Sequence, residues 1–333
     1  MSAGGLKNMA RSIEVLAPSR LHFGMLSLEP HCGRQYGGVG AMIQTPGLRL
    51  TIREAAGLEA AGPMLRRTLR AARLAWSNDP ACPDPAGEPR CRIEVCEAPP
   101  QHVGLGTGTQ LAMAVAAGLN ALFDRPALDA ASLARRVGRG QRSAIGLYGF
   151  FEGGLLFEGG KTPSEEVSPL VARVELPEDW RFVLVRPGGQ RGLSGVAEQR
   201  AFARLPPVPA ERTVALGREA AEVLLPAAAA GRFEEFSESL YRFGYEAGLS
   251  FAAWQGGAFA SARLTGLVQS IRDLGVRGVG QSSWGPTLFA LLPSADAAGE
   301  FLLRLRRTSC AADLELTITA PANRGAAITV RRA

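Results

Sequence analysis

The stretch Pro99 to Leu119, PPQHVGLGTGTQLAMAVAAGL, sets a glycine-punctuated loop directly ahead of an apolar-periodic helix. Glycines at 104, 106 and 108 let backbone N–H groups come close to a ligand. The helix expected from near Gln110 adds unpaired N–H groups at the positive end of its dipole. Phosphate is the natural guest of such a cradle. Leu111, Ala114, Val115, Gly118, Leu119 and Leu122 then recur at helical spacing, the stripe of a helix packed on a sheet. Taken alone, a glycine cluster before a helix is as often a tight turn as a phosphate site. No GK[ST] follows it, so it is not a Walker loop. Neither Asp124 nor Asp129 ends a strand, where a dinucleotide-binding unit places its ribose carboxylate.

Outward from this stretch, the N-terminal half alternates strand-like and helix-like segments. Ile13 to Ala17, Arg20 to Leu26, Ala41 to Ile43 and Leu48 to Arg53 read as four short strands broken by Gly and Pro. Met64 to Trp76 reads as a helix, Asn78 to Pro89 as a surface loop and Cys91 to Glu97 as a strand. A helix over Ala130 to Val137 and a strand over Gly153 to Phe157 follow. Beyond a strand at Phe182 to Val185, helical patterns fill Val196 to Ala203, Arg212 to Leu225, Phe233 to Gly248 and Phe259 to Leu274. Strands at Gly278 to Gln281 and Thr287 to Leu292, a helix at Ala295 to Arg307, and strands at Leu314 to Thr319 and Ala326 to Val330 complete an α+β layout in two parts.

At 333 residues and 46% hydrophobic, the chain has room for a sizeable core and the composition of a globular protein. It has no apolar run of spanning length and no signal-peptide core, so a cytoplasmic protein without a membrane role is expected. Cys32, Cys82, Cys91, Cys96 and Cys310 form neither an even framework nor a CxxC pair, which favours reduced thiols over disulfides or zinc. Of the 37 basic residues only Lys7 and Lys161 are Lys. A GC-rich genome would produce that skew, yet guanidinium is also the side chain best suited to bidentate recognition of phosphate and carboxylate. The basic residues are scattered without aromatic interleaving, which points to a small anionic substrate and away from nucleic acid.

An approach through prolines, then GLG with small hydroxyl residues, then an Ala-rich helix resembles the second motif of the GHMP kinase superfamily. APSRLHFGML at 17–26 lies where the first motif of that superfamily falls, and GQSSWGPTLFAL at 280–291 resembles the third. GHMP kinases commonly carry a GxxSGxD loop after the second motif's helix, with an Asp that serves the phosphoryl acceptor. The matching stretch here, GRGQRSAIG, has Gly146 in that position. RLHFG, YGGVG (36–40), GLGTGTQL, GRGQRS (138–143), GLSGVAE (192–198) and QSSWGPT together resemble the β-ribofuranosylaminobenzene 5′-phosphate synthase family within the superfamily.

The resemblance implies an α+β, GHMP-kinase-like two-domain fold. An N-terminal α/β domain (1–180) would carry the phosphate loop, a C-terminal ferredoxin-like α+β domain (181–333) would follow, and the substrates would lie between them. It implies a decarboxylating transfer from 5-phosphoribosyl 1-diphosphate to 4-aminobenzoate or 4-hydroxybenzoate, as in tetrahydromethanopterin biosynthesis, by a homodimer. Mg²⁺ is the expected ion and no organic cofactor is expected; the metal ligands are not identified. Arg20, His22, Arg139, Arg142 and Glu198 are the expected catalytic residues. Gly104, Gly106, Thr107, Gly108, Thr109, Gln110 and Ser143 would hold the diphosphate. Tyr36, Arg191, Ser194, Gln281, Ser282, Ser283 and Trp284 would meet arene and ribose. His102 beside the loop is a further candidate donor. Two rival readings stand beside this one: an ATP-dependent small-molecule kinase of the same fold, against which Gly146 counts, and a catalytically silent ligand-binding relative.

Overall fold

The computed structural model describes residues 11–28, 33–193 and 195–332. The four short strands expected at the start are two long ones, β1 (Arg11–Met25) and β2 (Gly38–Glu54), paired antiparallel. Their register shifts between Ala17 and Ser19 and again between His22 and Gly24. Pro18 falls in the first of these irregularities, where a missing N–H breaks no ladder, so the residue that reads as a breaker is absorbed as a bulge. After β3 (Glu59–Ala61), α1 (Leu65–Ser77) and β4 (Cys91–Glu97), α2 (Thr107–Leu122) begins three residues before the expected Gln110. Gly106 is its N-cap in the left-handed conformation, φ 70°, a geometry that favours glycine and lets the helix start immediately. There follow α3 (Ala130–Arg136), α4 (Ile145–Glu152), β5 (Leu155–Glu158) and β6 (Leu170–Val174). The sequence reading misses α4 and β6. Two glycines within α4, Gly146 and Gly149, hide its period, and β6 is short and mostly half-exposed.

The second part runs β7 (Arg181–Pro187), α5 (Gly195–Phe202), α6 (Ala210–Arg218), a π-helical turn (Glu219–Leu224), α7 (Leu225–Ala229), α8 (Phe233–Leu249), α9 (Ala252–Gln255) and α10 (Ala262–Asp273). Then come β8 (Val279–Gln281), β9 (Leu288–Leu292), α11 (Ala295–Arg306), β10 (Leu314–Thr319) and β11 (Ala327–Arg332). β7 to β10 form a four-stranded antiparallel sheet in the order β10-β7-β9-β8, the ferredoxin-like arrangement of a β-α-β-β-α-β chain. β11 does not join it. It returns to pair with β1 in the seven-stranded first sheet, ordered β11-β1-β2-β4-β3 with β5 and β6 attached through β2. The chain beyond β10 therefore packs with the first part, although the sequence places it in the second.

Two of the cores belong to one part each. Ile13, Val15, Leu50 and Ile52 of the first sheet face α2, whose Gly118 lies so close to β2 that an added Cβ would stand 2.6 Å from Ile52. Val183, Leu288 and Ala290 face α10 and α11. A third core is shared. Leu21 and Phe23 of β1 and Leu155 of β5 pack with Phe182, Phe289, Phe236 and Phe243 from β7, β9 and α8. Phe23 meets Phe289 at a ring separation of 5.1 Å and Phe182 at 6.4 Å. No helix among the described residues is long and apolar enough to cross a membrane.

Candidate active site

The loop before α2 is held by its carbonyl groups. Arg20 N–H donates to the Leu105 carbonyl (3.1 Å), Thr287 N–H to that of Val103 (3.4 Å) and the Ser282 hydroxyl to that of Gly104 (2.7 Å). Val103 and Leu105 drop into the shared core, while Gly104, Gly106 and Gly108 line a cleft. Among the described residues, no protein acceptor lies within hydrogen-bond distance of the N–H groups of 104 to 108. With its carbonyls tied back and no acidic residue in the first turn of α2, the loop turns a row of free donors and a helix dipole toward the cleft.

Four guanidinium groups surround this row. A Cβ added at Gly106 would sit 3.1 Å from Arg20 Nε, and one at Gly108 would sit 3.3 Å from Arg67 Nη1 and 3.7 Å from Arg139 Nη2. Arg70, one helical turn beyond Arg67 on α1, lines the same lobe. Among the described residues, none of the four has a carboxylate within 4 Å. Burial, followed by repulsion from Arg67 and Arg70, lowers the affinity of Arg139 for its proton. Burial brings Arg20 down to about 10, against the opposing pull of Glu158 and Glu198, so it remains charged at neutral pH. Unpaired cations held this close together call for a polyanion. Arg67 and Arg70 are absent from the sequence-based site, yet α1 signals them: it carries arginines at i, i+3 spacing and no acidic residue at all.

The cleft has two connected lobes. The anion lobe, about 680 Å³, lies over the start of α2. The other, about 270 Å³, is walled by Phe23, Phe202, Phe251 and Trp284. The Trp284 ring meets Phe251 edge-on at 4.8 Å and Phe202 at 5.5 Å. Arg20, Thr109, Arg139, Arg142, Glu198 and Ser283 lie on the wall common to both lobes. Phe202 and Phe251 are further members that the sequence reading lacks; nothing in their spacing singles them out from core aromatics.

Other expected residues do different work. Arg142 is not a free cation: it pairs with Glu198 at 2.9 Å and stacks on Phe202, its guanidinium carbon 4.5 Å from the ring centre. Gln110 is buried and donates to the Gly146 carbonyl of α4, away from the cleft. The Thr107 hydroxyl donates to the Pro100 carbonyl, which fixes the loop and leaves only its N–H for a ligand. Ser282 is fully buried; its hydroxyl accepts from His22 N–H at 3.0 Å while donating to Gly104, so it clamps the three motifs together. Gln281 is likewise consumed by backbone, with Nε2 on the Ser283 carbonyl and Oε1 on Ala260 N–H. Ser283, exposed and at φ 56°, does face both lobes. Tyr36 lies outside the cleft, at a turn where its carbonyl accepts from Ser27 N–H. Arg191 is exposed and does not line the cleft, although its charge reaches His102, whose Nε2 lies 2.7 Å from Arg67. Ser194 is outside the described residues.

His22 and Ser143 lie together, with Nε2 to Oγ at 3.1 Å. Burial first, and Arg20 second, hold the imidazole well below its ordinary pKa, so it is neutral. Behind them stands a carboxylate that the sequence reading does not contain. Glu158, at the end of β5, is fully buried and accepts from Ala144 N–H at 2.7 Å. Burial pushes its carboxyl up to about 7, against hydrogen bonds from Ser143 and Ala144 and the charge of Arg20. An FEGG turn in an aliphatic strand is its only signature.

A ferredoxin-like half and a largely antiparallel half meeting over a glycine loop define the GHMP kinase fold. The GHMP kinases N terminal domain family matches residues 66–154 and the GHMP kinases C terminal family residues 224–310, and the chain belongs to the GHMP kinase superfamily. Within it, the chain is 29% identical to the beta-ribofuranosylphenol 5′-phosphate synthase of Archaeoglobus fulgidus, over 96% of this chain and all of that protein. The protein of the same name in Methanothermobacter thermautotrophicus is 28% identical over 85% of this chain and 89% of its own length. Solved structures with this fold include a homoserine kinase from Cytophaga hutchinsonii, with TM-score 0.66 and 15% identity over 99% of this chain and 100% of that one. The mevalonate-3-kinase of Thermoplasma acidophilum superposes with TM-score 0.64 and 14% identity over 97% and 100%. Gly146 is buried in α4 against Thr109 and Gln110.

Proposed function

We propose that this protein transfers a phosphoribosyl group from 5-phosphoribosyl 1-diphosphate to a para-substituted benzoate, releasing CO₂ and diphosphate and forming a C-riboside 5′-phosphate. The observation that carries this reading is the joined pair of lobes, one lined by free N–H donors and unpaired arginines and the other by aromatic rings. The name of the archaeal relatives favours 4-hydroxybenzoate, which would give a phenol, over 4-aminobenzoate. Tetrahydromethanopterin biosynthesis, a cytoplasmic location and a homodimeric assembly belong to the same reading.

The chemistry suits the residues. As the diphosphate departs with its bonding electrons, positive charge grows at ribose C1 and negative charge on the leaving oxygens. The start of α2 contributes roughly 1 kcal/mol, so Arg20, Arg67, Arg70 and Arg139 carry most of the stabilisation. The ring carbon bearing the carboxylate attacks C1, and loss of CO₂ returns the electron pair to the ring. No proton is consumed overall. Among the described residues no three His, Cys, Asp or Glu side chains gather at one point, and Glu198 is the carboxylate lining both lobes. Glu198, now paired with Arg142, is the residue that would hold Mg²⁺, which would neutralise charge on the leaving group. Among the described residues, a kinase reading finds no second carboxylate on the cleft wall.

Purified protein incubated with Mg²⁺, phosphoribosyl diphosphate and carboxyl-labelled 4-hydroxybenzoate should release labelled CO₂ in proportion to diphosphate. The same mixture with 4-aminobenzoate tests the acceptor. Absence of release from both arenes rules the reading out.

A further inference from the structure

We propose that His102 is the residue that aims Arg67 at the leaving diphosphate, a positioning residue that works as an uncharged acceptor. The proposal rests on the phosphoribosyl-transfer reading above.

Arg67 enters the anion lobe from α1 with the two ends of its guanidinium differently engaged. Nη1 stands beside the row of N–H donors, 3.3 Å from where a Cβ of Gly108 would lie. Nη2 lies 2.7 Å from His102 Nε2. A guanidinium has only donors to offer, so His102 Nε2 is the acceptor, the proton sits on Nδ1 and the imidazole is neutral. The residue expected from the sequence to donate to substrate is, at this atom, an acceptor for another side chain. Its surroundings keep it so. Burial first, then Arg67 and Arg191, lower its affinity for a second proton and outweigh Glu198, which is itself bound to Arg142.

The charges of the lobe explain the need for such a residue. Arg67 shares the lobe with Arg20, Arg70 and Arg139. A long side chain among like charges turns toward water unless something holds it. A carboxylate would hold Arg67 but would cancel the charge that a diphosphate requires. A neutral ring nitrogen fixes the guanidinium fork and leaves its charge intact for phosphate oxygens. His102 is in turn fixed through its backbone. Its φ of 61° lies in the left-handed region, which is costly for a residue other than glycine, and its carbonyl accepts from Gly192 N–H at 2.6 Å. It stands two residues before Gly104, where the donor row begins, so one residue sets the N–H row and the guanidinium in a common frame.

The test separates the acceptor from the backbone. Gln places its side-chain amide where His102 has Nε2; Asn tolerates the left-handed conformation but is too short to reach Arg67. Binding of inorganic diphosphate, by calorimetry at neutral pH, should stay within about threefold of wild type in His102→Gln and weaken about tenfold in His102→Asn. His102→Asn should raise KM for phosphoribosyl diphosphate by a similar factor and leave KM for the arene unchanged. In an Arg67→Ala background, His102→Asn should cost nothing further, because the residue acts through Arg67. Loss in the Gln variant equal to or greater than that in the Asn variant would make the left-handed backbone the reason for His102 and overturn the proposal. So would a full loss that persists in Arg67→Ala, which would make His102 a direct phosphate ligand, or unchanged binding in His102→Asn. A wild type that does not bind diphosphate sinks the transfer reading first, and the positioning role with it.

Discussion

A buried carboxyl whose charge is costly leaves a signature in stability. Glu158 has a folded-state pKa raised from the usual 4.5 to about 7. Its contribution to stability is therefore complete below about pH 4.5 and is lost as pH rises through 7, by about 3 kcal/mol in all. Urea denaturation of Glu158→Gln against wild type should show equal stability at pH 4 and a more stable variant at pH 8.5; a less stable variant at pH 8.5 would show that the charge is fully compensated. His22 acts in the opposite window: held neutral by burial, it adds stability above 6.5 that is lost at lower pH. At the same scale the arginines separate into two kinds. Arg67→Ala and Arg139→Ala should each weaken diphosphate binding about tenfold by calorimetry, more steeply at low ionic strength. Glu198→Gln distinguishes two roles: diphosphate should bind more tightly without Mg²⁺, because Arg142 is freed, and less tightly with it if Glu198 holds the ion. The sequence exposes Arg20, Arg139 and His22 because they sit in motifs. It conceals Glu158 and Arg67, whose importance comes from which neighbours they lack, and a sequence contains no information on that without a fold.

At the scale of elements, the loop and helix from Pro99 to Leu119 are legible because glycine and apolar spacing are local properties. What the loop does with its carbonyls is not local. Val103, Gly104 and Leu105 are tied by Thr287, Ser282 and Arg20, contributed by chain far away in sequence. This explains why Ser282 reads as a substrate contact when it is a clamp: motifs cluster around a site without stating which side chains face it. Gly104 shows how tight the clamp is. It has φ 91°, and a Cβ there would stand 2.3 Å from the Ser282 carbonyl oxygen, a backbone atom that cannot swing away. Gly104→Ala should cost more than about 1 kcal/mol of stability and displace the row of N–H donors. Diphosphate affinity and CO₂ release should fall together, whereas Gly189→Ala, at φ 70° in open space, should affect neither ligand. The missed helix α4 follows from the same limit, since Gly146 and Gly149 erase its apolar stripe, Gly149 packing so close to Met42 of β2 that an added Cβ would stand 2.2 Å from its Sδ.

For the whole molecule, a boundary near residue 180 follows from where the helical patterns lengthen, but the packing does not divide there. Phe23 and Leu21 of the first sheet share one core with Phe182 and Phe289 of the second, and β11 carries the end of the chain back to β1. Composition and period describe what each segment is made of; they do not say which sheet a terminal strand will close. A cleft floored by a common core is set in place before any ligand arrives, which suits a reaction that must hold C1 and an arene carbon within bonding reach. The same core makes the halves interdependent. Phe289→Ala removes a ring from the junction and should cost about 3–5 kcal/mol. If the halves were separate folding units, that loss would appear only in the second, and a two-step urea curve would result. With the core shared, hydrogen exchange should instead show β1, β2 and β5 losing protection together with β7 and β9, in a single transition shifted to lower urea. Protection retained in β1 while β9 opens would mean that the aromatic contact between the sheets contributes little, and that the cleft is free to hinge.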